Sequence, residues 1–101
     1  LTEGMQAEWS KARARVDRWY EDQVLLQEEM RRTLAFFEDK ATWWSGQRSR
    51  RNDAGRVLSR SLAAYADKQA DIYRRLARKF AGLWLPFLTS QSVVPSWAGQ
   101  Y

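Results

Sequence analysis

The side chains able to do chemistry in this sequence are carboxylates and basic groups: twelve Asp and Glu, seventeen Lys and Arg, and neither His nor Cys in 101 residues. Without imidazole or thiol, most nucleophile–base pairs, thiolate metal sites and disulfides are excluded. The tidiest carboxylate pairs are Asp67 with Asp71 and Asp17 with Glu21, each one helical turn apart. A hard cation needs further oxygen ligands held in place, and no acidic glycine-containing loop supplies them. Asp71 also has Arg74 and Arg75 within reach, so a solvated charge network is the simpler reading. Glycine-rich phosphate loops, G-x-S-x-G and H-E-x-x-H are absent. The chain is read as non-enzymatic, with no catalytic residues, no metal ligands and no cofactor.

The arginines are more suggestive. Arg48, Arg50, Arg51, Arg56 and Arg60 crowd one stretch in which Asp53 is the single opposing charge. Guanidinium forks near a helix N-terminus favour phosphate, which makes these five the candidate contacts for a nucleic acid bound with little sequence preference. The bland alternative is a solvated, basic turn. The formal charge of +5 is compatible with both and favours acidic partners. Between Arg48 and Arg60 there is no aromatic residue on which a base could stack.

The elements that position these groups read as helices. From Thr2 to about Trp44 there is no Pro, and apolar residues recur at alternating three- and four-residue spacing through Met5, Trp9, Ala12, Val16, Trp19, Leu26, Met30, Phe37 and Trp44. The stretch around residues 46–54, with Gly46 and the Asn52-Asp53 pair, is a turn, and Asn52 or Asp53 is a suitable cap for a second helix. The seam of that helix runs through Leu58, Leu62, Tyr65, Ile72, Leu76, Phe80, Leu83 and Phe87, with Pro86 expected to disrupt its last turn. The expected organisation is a single helical domain: helix over about 2–45, basic turn over about 46–54, helix over about 55–87 and an irregular tail over 88–101.

The fold class is therefore all-α, a long antiparallel helical hairpin of coiled-coil type. The pairing that matches both seams sets Trp44 opposite Leu58, Phe37 opposite Tyr65, Met30 opposite Ile72, Leu26 opposite Leu76, Trp19 opposite Leu83 and Val16 opposite Phe87. Such a closure leaves over a stripe of small and aromatic residues: Ala63, Ala66, Ala70, Tyr73, Ala77, Ala81 and Trp84, with Trp43 from the first helix. A stripe of this length is larger than a monomer ordinarily exposes. It is expected to pack against a second copy, completing a four-helix bundle, or to dock onto a larger parent protein. No window is apolar enough to span a membrane. The first residue is Leu rather than Met, which suggests a domain cut from a longer chain, and the lack of Cys in so small a domain favours an intracellular origin.

Two stretches resemble the C-terminal helical region of fungal proteins associated with KDZ transposases, including the cysteine-cluster proteins linked to them. They are Glu8 to Arg15 through Trp19, Val24 to Arg32 and Trp43-Trp44, then Leu62 to Ala70 through Phe80 to Trp84. The resemblance implies a fungal, nuclear parent protein whose nuclease-like core and cysteine clusters are not in this sequence. What carries over is an accessory coiled-coil region, with no functional residue attached.

Overall fold

The computed structural model describes residues 2–50 and 55–101, which divide into two units, residues 1–30 and 31–101. Its elements are helix α1 (Glu3–Gln47), helix α2 (Arg56–Ser90) and a single 3-10 turn (Ala98–Gln100); no described residue is in a strand. Residues 31–47 of α1 and the whole of α2 form an antiparallel hairpin in the second unit, so the all-α hairpin read from the seams is the observed fold.

Three of the four α-helix ends have a local cause. Thr2 caps α1 by accepting the Met5 N–H on its hydroxyl at 3.2 Å, and Glu3 adds negative charge where the free N–H groups point. The N-cap of α2 is Gly55, at a φ of 86° that glycine tolerates and other residues seldom adopt. The Asn52 or Asp53 cap falls outside the described residues. Pro86 does not end α2, which runs on to Ser90. A proline removes one hydrogen bond and presses on the carbonyl four residues earlier; here that residue is Gly82, whose lack of a side chain leaves its backbone free to yield. Beyond it the helix is closed by the Val93 N–H on the Leu88 carbonyl at 2.9 Å and the Ser92 N–H on the Thr89 carbonyl at 3.0 Å. This is a Schellman closure with Ser92, rather than a glycine, in the left-handed conformation at φ 58°.

The packing departs from the sequence reading in two ways. First, the alanine row faces inward: Ala66, Ala70, Ala77 and Ala81 are at most 2% exposed, and the larger seam residues Leu58, Tyr65, Ile72, Leu83 and Phe87 lie on the outside. Helix α2 carries two apolar stripes, and burying the small one lets the two helix backbones approach closely. Second, the register is displaced. Phe37 stacks on Phe80 at 5.7 Å between ring centroids and lies 6.4 Å from Tyr73, rather than opposite Tyr65. Trp44 meets Tyr65 edge to face at 5.6 Å rather than Leu58, two turns further along α2 than expected.

The tail fills the remaining side of this core. Trp97 is 5% exposed and meets Tyr101 edge to face at 6.2 Å. The Tyr101 hydroxyl donates to Glu38 Oε1 at 2.7 Å, which fastens the tail to α1. The first unit, by contrast, is one helical segment whose seam is open: Trp9 and Val16 are each 63% exposed and Trp19 56%, where the sequence reading buried all three.

Candidate interaction surfaces

Two surfaces of the molecule carry residues suited to binding. The first is the seam of α1 within residues 1–30. Met5, Trp9, Val16, Trp19 and Leu26 are all exposed and share one face by their three- and four-residue spacing, with Tyr20, Val24 and Leu25 beside them. Two contacts near its N-terminal end are local: Lys11 Nζ stands 3.8 Å from Glu8, and the Arg13 guanidinium lies over the Trp9 ring at 5.3 Å. An exposed cation over an exposed ring contributes well under a hydrophobic burial, so Trp9 remains available for packing.

The second surface is the arginine end of the hairpin. Arg48 and Arg50 rim an open cleft of about 400 Å³ whose walls are Trp43, Trp44 and Tyr65. Trp43 and Trp44 meet edge to face at 4.9 Å, and Trp43 and Tyr65 are each about half exposed. Arg48 Nε is 3.7 Å from Asp67 Oδ2, a loose and solvated pair, and Arg50 donates to Gln47 Oε1 at 3.4 Å. Arg56 and Arg60 lie exposed on the first turns of α2, whose opening turn holds no acidic residue. Arg51 is outside the described residues. Aromatic faces and guanidinium groups thus share one site, although no aromatic lies between Arg48 and Arg60 in sequence. The adjacent Trp43-Trp44 pair, just upstream of the basic stretch, was the available signal for this.

The stripe expected to receive a second copy is not a surface. Ala66, Ala70, Ala77 and Ala81 are inside the hairpin, Ala63, Tyr73 and Trp84 are half-buried along its flanks, and Trp43 belongs to the arginine cleft. The tidy carboxylate pair is occupied by cations, Asp71 by Arg75 at 2.8 Å and Asp67 by Arg48. Among the described residues no group of three or more His, Cys, Asp or Glu is placed to hold a metal ion, and no helix is long and apolar enough to cross a membrane. The chain matches no family model, no curated protein and no solved structure among those compared.

Proposed function

We propose that this chain is a non-catalytic protein-association module that works through the open seam of α1. The observation that carries the reading is the exposure of Met5, Trp9, Val16, Trp19 and Leu26 on one helical face. Aromatic residues at such positions supply most of the energy of an interface, and a helix with one unpaired apolar face gains by covering it. Light scattering of the chain at tens of micromolar is expected to give an oligomer. Replacing Val16 and Trp19 together with Glu is expected to leave a helical monomer, because unpaired charges at a buried seam cost several kcal/mol. A wild-type chain that stays monomeric at that concentration would sink the reading. The resemblance to transposase-associated fungal proteins supplies a setting for such a module, an accessory region of a nuclear protein, which localisation of the parent in a fungal cell would check.

A second reading is favoured by the cleft at the turn: a nucleic-acid contact of low sequence preference, with Arg48, Arg50, Arg56 and Arg60 on phosphates and an unstacked base against Trp43 or Tyr65. It predicts a preference for single strands over duplex and a steep loss of binding with salt. Exchanging Arg48 and Arg50 for Gln is expected to reduce the logarithmic salt slope by about 1.4, at ~0.7 per phosphate contact on a single strand. Absence of binding to either form at low salt leaves the association reading alone.

A further inference from the structure

We infer that the open seam of α1 takes a second copy of the same helix, parallel and in register, over residues 5–26. The inference rests on the association reading and adds to it the partner and its direction. Written as a heptad, the seam has Trp9, Val16 and Gln23 at one core position and Met5, Ala12, Trp19 and Leu26 at the other. The flanking positions hold Glu8, Arg15 and Asp22 on one side and Arg13, Tyr20 and Gln27 on the other; all but Gln27 are exposed.

In a parallel pair each residue of the first flank faces the residue five positions later on the other copy. Glu8 then meets Arg13, Arg15 meets the ring of Tyr20, and Asp22 meets the amide of Gln27. Opposite charges, a cation on an aromatic and a carboxylate on an amide result, each twice by symmetry, and no like charges are juxtaposed. Gln23 meets Gln23, so the one strongly polar core residue is satisfied by its own copy, the device that fixes direction and register in two-stranded coils. Bulk also alternates, because the small Ala12 layer lies between those of Trp9 and Val16.

Every antiparallel alternative includes a like-charge pair. In such a pair the first flank faces itself, and the three registers that keep the seams aligned set Glu8 against Glu29 beside Arg15 against Asp22, Arg15 against Arg15 beside Glu8 against Asp22, or Asp22 against Asp22 beside Arg15 against Glu29. The register that opposes Glu8 and Glu29 also buries Gln23 against Ala12, which has no group to bond it. The parallel arrangement is thus the one of the four with no like-charge contact and with Gln23 paired to its own copy.

The chain has no cysteine, so single cysteines introduced into the full chain report the geometry directly. A disulfide needs Cα atoms within about 7 Å, which equivalent core positions satisfy in a parallel pair and not in an antiparallel one. In a glutathione redox buffer Ala12→Cys is expected to cross-link to itself. A mixture of Ala12→Cys and Gln23→Cys chains is expected to give 12–12 and 23–23 links and no 12–23 link. Glu8→Arg, which leaves the core untouched, is expected to weaken association roughly tenfold, because two attractive pairs become repulsive; in the antiparallel register facing Glu29 the same change would tighten it. An oligomer that yields 12–23 links, that fails to link Ala12→Cys to itself, or that Glu8→Arg tightens, overturns the direction and leaves the association reading standing. A monomer overturns both.

Discussion

Tyr101 shows how much one side chain can decide at the end of this chain. Its hydroxyl pKa is pushed up to about 12, first by burial, then by the hydrogen bond it donates to Glu38 and by that carboxylate's charge. Because the folded value lies above the ordinary 10.0, the neutral phenol is the form the fold prefers. Its contribution is therefore whole below about pH 10 and is lost progressively as the pH rises from there toward about 12. Tyr101 is expected to ionise only toward about pH 12 when tyrosinate absorbance is followed in alkali. Tyr101→Phe should remove that late step and cost about 1 kcal/mol near neutrality, the worth of one hydrogen bond. Absorbance that is the same in Tyr101→Phe and wild type near pH 12 would mean that the tail is not held by this contact.

The central finding among the helices is which stripe of α2 is buried. Ala77 is fully covered, so Ala77→Leu forces a branched side chain into filled space and is expected to lower stability by ~1–3 kcal/mol in urea denaturation. Leu83→Ala, on the outer stripe at 60% exposure, should cost much less. Equal losses at the two positions would contradict the inward alanine row. That two helices pair as a hairpin was legible, because proline-free stretches with three- and four-residue apolar spacing leave few alternatives. The choice of stripe was not. Spacing alone ranks a face by size and hydrophobicity, and on that scale Leu58, Tyr65, Ile72 and Leu83 outrank four alanines. What decides is the close approach of the opposing helix, which small residues allow, and the tail, whose Trp97 covers a side that a two-helix argument leaves bare. The helix ends were similarly half legible: Thr2 is a recognisable cap, whereas Ser92 closes α2 in a conformation for which the sequence offers no glycine.

Across the whole chain, apolar surface is unevenly distributed. Residues 31–101 assemble a core from Leu34, Leu88, Trp97 and the alanine row, while Met5, Trp9, Val16, Trp19 and Leu26 leave their seam to solvent. The arginine cleft was legible as a cluster of charge and illegible as a site, since the rings that wall it come from Trp43-Trp44 and from Tyr65 on the other helix. The open α1 seam was legible residue by residue, but its exposure was not, because apolar spacing marks a face for burial without saying what covers it. That unevenness divides the six tryptophans by their contact with water: Trp97 is shielded, while Trp9 and Trp19 are more than half exposed. Indole emission shifts to the blue and resists collisional quenchers when the ring is dried. The molecule thus carries its own optical gauge: unfolding of the hairpin is read by Trp97 turning red, and closure of the α1 seam by Trp9 and Trp19 turning blue. The two events move the same spectrum in opposite directions.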